Sequence, residues 1–382
     1  MLIPLSYMNN VELSSILDTK DNYTTSVLIA NDSPMLVAVL KAIIATDPRY
    51  HVCACVENGK KAVDFFQHSK ADIVLMDIHM PIMGGVSATE HIVTRHPKTR
   101  ILIVTATVST NMGYIFSALN IGALDYVQTP TLPFKPGTVI SKQALKTNGA
   151  RLLSKLDSLT KLHIPSQERS IYAHPVRRAK VQPQNLKSSS DRIIVIGAST
   201  GGPSTLALVL NKLTAIPKCP IIICQHIEPG FSGDFASWLE VETGIPTQLA
   251  KDHTDALPGR IYIAPAGRNL GLTAGGRLEV SPPPSSQIFT PNIDYTFFKF
   301  SKYYSDKMLG IVLTGMGSDG SKGAKEIIDQ GGSVLTQDSE TALIESMPEN
   351  ARDAIKTSHS YMPNQITMMM ERWMNKPAAK GA

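Results

Sequence analysis

Two α/β domains in series, each a largely parallel sheet clad in helices, are what the amino-acid sequence predicts. Three observations carry this. Short apolar runs of strand length recur along the chain and alternate with amphipathic stretches of helical spacing, the rhythm of strand–helix–strand units. That rhythm runs from Ser26 to about Thr138 and starts afresh at Asp191. Between the two lies a polar, basic stretch from about Gln167 to Ser190, with the composition of a tether.

In the first half, SVLIAND (26–32) reads as a strand. SPMLVAVLKAIIAT follows as a helix, with Ser33 as its cap and Pro34 in its first turn. YHVCACV, DIVLMDI, RILIVTA and LDYVQTP read as further strands, and the segments between them have helical spacing. Leu152, Leu153, Leu156 and Leu159 then form a helical stripe that carries the last helix into the linker. In the second half, RIIVIGAS, PIIICQHI, GRIYIAPA, GRLEVSP, GIVLTGMG and GGSVLTQD read as strands, with PSTLALVLNKL and GDFASWLEVET as helices. The Gly-Gly turn signal in TAGGRLEV predicts that part of this second sheet is antiparallel. The expected division is an extension over 1–25, a first domain over 26–145, and a linker over 146–190 that is helical, then basic and flexible. A second domain follows over 191–375, with a tail over 376–382.

A chain of 382 residues with 43% hydrophobic and 18% charged residues has room for two buried cores and is not disordered overall. Its apolar runs are far shorter than a membrane span, and MLIPLSYMNNVELSS shows neither the basic start nor the cleavage site of a secretory signal. The four cysteines, Cys53, Cys55, Cys219 and Cys224, suit neither a disulfide framework nor paired zinc-binding spacing. A cytoplasmic setting without membrane insertion is expected. The net charge of +5 invites a nucleic-acid reading, which its distribution opposes. Residues 151–190 hold eight Lys/Arg against two acids, leaving about −1 for the rest, and no nucleic-acid-binding motif accompanies them.

Open parallel sheets gather chemistry at the C-terminal ends of their strands. In the first domain those ends carry Asn31 and Asp32, Asp77, Thr105 and Thr129. Asp32 and Asp77 are candidate ligands for Mg2+. With that ion bridging to a phosphoryl group, Asp77 could attack phosphorus and become an aspartyl phosphate, Thr105 binding its oxygens. The plainer alternative makes Asp32 a helix cap and Asp77 and Thr105 ordinary loop residues.

In the second domain the stretch IIVIGASTGG (193–202) feeds a strand into a glycine-rich turn. A dinucleotide loop needs G-x-G-x-x-G. Here Gly197, Gly201 and Gly202 are spaced G-x-x-x-G-G, Ser199 stands at the second glycine, and no acid ends the next strand to hold a ribose. The other use of such a turn is to lift a serine hydroxyl above the sheet, and a hydroxyl needs a base. His226 ends PIIICQH, and Asp319 follows GIVLT in LTGMGSDG, so three strand ends offer a hydroxyl, an imidazole and a carboxylate. Asp319 would set the imidazole tautomer while His226 takes the Ser199 proton. The N–H groups of Met316 and Thr200 are the candidate oxyanion donors. Spacing alone leaves Asp294 and Asp252 open as the third member, although Asp294 also reads as the cap of YTFFKF and Asp252 sits beside His253 in a polar loop.

LMDIHMPIMGG around Asp77, with Asp32 and Thr105, resembles the response-regulator receiver domain over 26–138. GASTGGP, QH, APAG, PNID, LTGMGSDG and SMPENA resemble, in order, the chemotaxis protein-glutamate methylesterase (CheB) family over about 191–370. The resemblance implies a flavodoxin-like (βα)5 receiver followed by a doubly wound, mainly parallel α/β esterase domain. It implies a phosphorylation-regulated enzyme that hydrolyses glutamyl methyl esters, and deamidates glutamine, on methyl-accepting chemoreceptors. Ser199 would be nucleophile, His226 general base and Asp319 its orienting carboxylate, with no cofactor for the esterase. Asp77 would take phosphate from a sensor histidine kinase with Mg2+, and the unphosphorylated receiver would cover the cleft. Two positions depart from the receiver pattern: Asn31 replaces the leading acid and Thr129 replaces the lysine. The Asn31–Asp32 pair and VQTP are similar to WspF-type members, which serve surface-sensing pathways controlling cyclic-di-GMP. A phosphorylation-controlled binding module with weak or idle esterase remains the alternative.

Overall fold

The computed structural model describes residues 24–106, 112–131, 141–162, 190–227, 230–285, 287 and 290–376. Residues 1–23 of the expected extension, the basic 163–189 portion of the linker, and the tail after Lys376 lie outside the described residues. By compactness the described residues divide into one unit within 24–106 and 121–162 and a second within 112–120 and 190–376.

The first sheet joins β1 (Thr25–Ala30), β2 (Tyr50–Val56), β3 (Ile73–Met76), β4 (Arg100–Thr105) and β5 (Asp125–Gln128). Their order is β2-β1-β3-β4-β5, and every pairing is parallel. A parallel strand covered on both faces must be apolar throughout, and Val27 to Ala30 and Ile73 to Met76 are all buried. The helices between the strands are α1 (Pro34–Ile44), α2 (Gly59–His68), α3 (Gly85–Arg95) and α4 (Met112–Ile121). Ser33 caps α1 by accepting from the Leu36 N–H, with Pro34 in the first turn. After β5 come α5 (Lys142–Asn148) and α6 (Ala150–Thr160). Of the leucine stripe, Leu152, Leu156 and Leu159 are buried and Leu153 half-buried on α6, which packs on β5, where Lys155 pairs with Asp125. This helical part of the 146–190 stretch lies inside the first compact unit.

The second sheet contains β6 (Ile193–Ala198), β7 (Ile221–Gln225), β8 (Thr247–Leu249), β9 (Ile261–Ile263), β12 (Met308–Val312) and β13 (Ser333–Thr336). Its order is β13-β12-β6-β7-β9-β8, again wholly parallel. The antiparallel pairing expected within it is real but lies elsewhere. β10 (Asn269–Leu272) and β11 (Leu278–Ser281) form a separate two-stranded sheet around the Gly275–Gly276 turn.

The remaining helices are α7 (Gly202–Leu210), α8 (Ser232–Thr243), α9 (Ile293–Tyr304), α10 (Ser321–Asp329), α11 (Ser346–Ile355) and α12 (Pro363–Asn375). Phe297 and Phe300 of α9 and Ile327 of α10 are fully buried against Val195, Ile222 and Val312 of the sheet. Truncating a buried phenylalanine costs about 3–5 kcal/mol, so this packing fixes α9, and with it the groups at its N-terminus, relative to the strands. Among the described residues no helix is long and apolar enough to cross a membrane.

Candidate active site

In the second sheet the chain starts at β6, runs outward through β7 on one side, and returns to β12 on the other. The crevice at the C-terminal ends of those three adjacent strands is where this topology places a site. Ser199 follows β6, His226 follows β7, and Asp319 lies between β12 and α10. Main-chain bonds extend the ladder past the strand ends: Ser199 N–H donates to the Thr314 carbonyl (3.0 Å) and His226 N–H to the Ala198 carbonyl (2.9 Å). Buried Gln225 ties the two together, its Nε2 donating to the main-chain oxygens of Ser199 (2.8 Å) and His226 (3.0 Å).

Two glycines permit the crowding around the serine. Gly201, which caps α7, has φ +77°, a left-handed conformation disfavoured for side-chain-bearing residues. A Cβ on Gly315 would lie 2.7 Å from the Ser199 Cβ and 2.1 Å from the Met347 sulfur. No larger residue fits there without displacing the serine.

Ser199 Oγ lies 3.2 Å from His226 Nδ1, and His226 Nε2 lies 2.8 Å from Asp319 Oδ2. An ionised carboxylate can only accept, so Nε2 carries the ring proton and the Nδ1 lone pair faces the serine hydroxyl. The His226 side chain is 12% exposed and Asp319 5%, which keeps this contact out of bulk water. Burial pushes the Asp319 carboxyl up, but the His226 hydrogen bond and charge, with the Ile293 and Asp294 amides, outweigh it and hold it below the ordinary aspartate value. Those amides open α9: Ile293 N–H donates to Oδ2 (2.8 Å) and Asp294 N–H to Oδ1 (2.9 Å). A helix N-terminus favours the negative charge placed on it.

The other two aspartates lie outside this relay. Asp252 is exposed, accepts from Val280 N–H, and stands 3.6 Å from His253. Asp294 does not cap its own helix as expected. Asn292 does, accepting from Tyr295 N–H (2.7 Å), whereas the Asp294 carboxylate accepts from Gly323 N–H (2.6 Å) in the first turn of α10. Asp319 and Asp294 thus cap each other's helices. Burial, with the Asp319 charge adding to it, raises the Asp294 carboxyl. Gln225 and Asn292 are site residues that the sequence reading missed. A glutamine ending a five-residue buried strand signals a bonded polar group, and an asparagine just before a helix signals a cap.

Thr200 and Met316, the candidate oxyanion donors, flank the serine from the β6–α7 turn and the β12–α10 loop. Thr200 is held by its carbonyl, which accepts from the Thr314 hydroxyl (3.0 Å). Gly317, next to Met316, is held through its N–H, which donates to Ser346 Oγ (3.0 Å). Rigid loops are what a pre-organised donor pair requires.

In the first sheet, Asn31, Asp77, Thr105 and Thr129 come from the ends of β1, β3, β4 and β5. Asn31 Nδ2 donates to Asp77 Oδ2 (3.0 Å) while its Oδ1 accepts from Ser33 N–H (2.8 Å). The asparagine therefore holds the aspartate without adding charge. Burial, joined by the charge of exposed Asp32, pushes the Asp77 carboxyl up to about 6 despite the Ile78 and His79 amides. Thr129 N–H donates to the Thr105 carbonyl (2.9 Å), and its buried hydroxyl has no hydrogen-bond partner among the described residues. Asp32 and Asp77 repel each other, and among the described residues no third acid, His or Cys is grouped with them to complete a metal cage. Such a pair fits a hard divalent cation that keeps water ligands.

Known proteins correspond to both halves. The CheB methylesterase family description matches residues 194–370, and the response regulator receiver domain matches 27–135. A Pseudomonas aeruginosa protein-glutamate methylesterase/protein-glutamine glutaminase is 32% identical over 323 residues, covering 85% of this chain and 92% of its own length. One from Burkholderia thailandensis is 33% identical over 352 residues, covering 90% of this chain and 97% of its own length. The CheB methylesterase catalytic domain structure from Thermotoga maritima is 32% identical, with a TM-score of 0.46, and covers 48% of this chain and 98% of its own. The response regulator domain of Thermotoga maritima CheB is 28% identical, with a TM-score of 0.31, and covers 37% and 98%. The chain, a receiver followed by a methylesterase domain, belongs to the CheB family of protein-glutamate methylesterases/protein-glutamine glutaminases.

Proposed function

We propose that this chain hydrolyses glutamyl methyl esters on the cytoplasmic helices of a chemoreceptor-type protein, releasing methanol. The observation that carries the reading is the unbroken contact from Ser199 Oγ through the His226 ring to Asp319. Ser199 Oγ attacks the ester carbonyl as its proton passes to His226 Nδ1, and Asp319 steadies the imidazolium. The Met316 and Thr200 amides receive the oxyanion. When the C–O bond breaks, Nδ1–H protonates the departing methoxide, leaving a glutamyl ester on Ser199. Water then attacks with His226 again as base, giving a free glutamate and restoring the serine. A glutamine side chain entering the same sequence loses ammonia instead, which accounts for deamidation by the same site. The full chain should release methanol from a methylated receptor fragment, and Ser199→Ala should release it only at a trace of that rate; release that is equal in both, or absent from wild type, contradicts the reading.

Control falls to the first domain, with Asp77 accepting a phosphoryl group from a sensor histidine kinase. Asp32 and Asp77 would hold Mg2+, which supplies the positive charge that lets an anionic carboxylate approach an anionic phosphoryl group. The Asn31–Asp32 pair and Thr129 support a WspF-type, surface-sensing pathway. Asp77→Asn is expected to take no phosphate from acetyl phosphate and Mg2+, while wild type does. The same variant should be more stable without metal. The Asp77 pKa is raised from 3.8 to about 6, so its ionised form burdens the folded state above that range and the burden vanishes below pH 3.8. Melting should rise by about 4 °C at pH 7, the shift that roughly 1 kcal/mol gives a domain of this size once the roughly 3 kcal/mol implied by the raised pKa is reduced for solvent screening, and the gain should close as pH approaches 4. Equal melting at pH 7 contradicts it.

A further inference from the structure

The Asp319 carboxylate has two oxygens and only one faces the histidine. Oδ2 meets His226 Nε2 and the Ile293 amide, whereas Oδ1 meets the Asp294 amide and Asn292 Nδ2 (3.0 Å). Asn292 is therefore the one side chain other than His226 seen bonding this carboxylate among the described residues. Its own placement is held by two hydrogen bonds, one of them to a residue that is itself held. Its Oδ1 caps α9 through Tyr295 N–H, its main-chain N–H donates to the Oδ1 of fully buried Asn269 (3.1 Å), and Asn269 exchanges two hydrogen bonds with Gln287. A two-donor amide on a fixed stem thus joins the Ile293 and Asp294 amides on this carboxylate and bonds the oxygen that does not serve the histidine.

We propose that Asn292 is a positioning residue for the hydrolysis, holding the Asp319 carboxylate so that Oδ2 stays aligned with His226 Nε2. The proposal rests on the Ser199–His226–Asp319 reading, and it concerns a residue that bonds the carboxylate and not the serine. An asparagine is needed rather than any other cap. Aspartate or serine at this position would also accept from Tyr295 N–H, but ionised aspartate cannot donate to Asp319, and serine is too short to reach it.

That difference separates positioning from stability. Asn292→Asp keeps the cap and sets a second carboxylate against Asp319. The charged and titratable groups around the pair are Cys224 from β7, His226 just after it, Asp294 from α9 and Lys322, which acts on Asp294, from α10. Burial holds the Cys224 thiol protonated, so it brings no charge. At pH 8 the full-length Asn292→Asp protein should stay folded at assay temperature but melt several degrees below wild type, with kcat reduced about 10- to 100-fold and KM within about twofold, the loss expected when a charge-assisted hydrogen bond is removed. Lowering the pH should narrow the ratio to wild type, because the introduced carboxyl regains an O–H donor once protonated. Asn292→Ser should lose a similar factor with no such narrowing. An activity-independent readout is the downfield proton resonance of His226 Nε2–H, which should weaken or shift in both variants. Wild-type kcat with an unmoved resonance in Asn292→Asp overturns the proposal. Wild-type protein without Ser199-dependent activity overturns the hydrolase reading instead, and the resonance still decides whether Asn292 positions Asp319.

Discussion

Ser199→Ala lowers kcat for methyl-ester hydrolysis by about 10⁶-fold, the scale on which removing the nucleophile of a serine–histidine–aspartate unit acts. The magnitude follows from what remains. Without the hydroxyl, His226 Nδ1 faces a methyl group and has no proton to take. No acyl-enzyme forms, and water must attack the ester directly. Substrate binding and the Met316 and Thr200 amides survive, so a residual acceleration of about 10³-fold over water is expected rather than none. KM should stay within about twofold, because the removed oxygen contributes little to ground-state binding. Folding should be untouched, since Ser199 is only partly buried and its backbone anchors to Thr314 and Gly202 persist. Single-turnover kinetics on a methylated receptor fragment measure the loss directly.

Asp319→Asn lowers kcat by about 10⁴-fold while leaving shape almost unchanged. The carboxamide turns its N–H toward His226 Nε2 or toward the donors on its other side. In the first case the ring proton is driven onto Nδ1, which then donates toward Ser199 instead of accepting from it. In that first case the Ile293 amide also meets a donor where it had an acceptor, and in the second the Asn292 amide and the Asp294 N–H do. Either outcome lowers activity, and either also lowers stability, by about 1–3 kcal/mol, because each leaves at least one buried donor facing another. The pH dependence has a definite sign. The Asp319 pKa is depressed below 3.8 in the folded protein, so its stabilisation is complete above that value and fades as pH falls through the lower folded-state value. The asparagine variant lacks that acid-side loss, so its stability deficit should be largest at neutral pH and smallest below pH 3.8. Thermal melts across pH, paired with kcat, separate the two contributions.

Much of this is legible in the sequence because the signals are periodic. Buried parallel strands must be apolar end to end, so IIVIGA, IIICQ and MLGIV announce themselves, and the residues that follow them share one edge of the sheet. That is why Ser199, His226 and Asp319 group together on sequence alone. β8 and β10 escape the sequence reading because three or four residues carry no usable period, and NLGL has a glycine inside it. The Gly-Gly turn marks the hairpin correctly. Sheet membership depends on long-range pairing, which no local pattern encodes, so the sequence reading puts the hairpin in the wrong sheet. Asp294 reads as a helix cap because caps are recognised by residue type. The difference between Asn292 and Asp294 lies in the arrival of α10, more than twenty residues later, whose own N-terminus claims the Asp294 carboxylate. That the buried Thr129 hydroxyl has no partner among the described residues is likewise a tertiary fact, invisible in VQTP.

A fluorophosphonate probe reports most directly on whether Ser199 is activated by its neighbours, since it phosphonylates only a serine whose proton is being taken. The expected result is one adduct per full-length chain, on the peptide bearing Ser199, formed at least about 100-fold more slowly in His226→Ala. No adduct on that peptide, or an unchanged rate without the imidazole, would contradict the account.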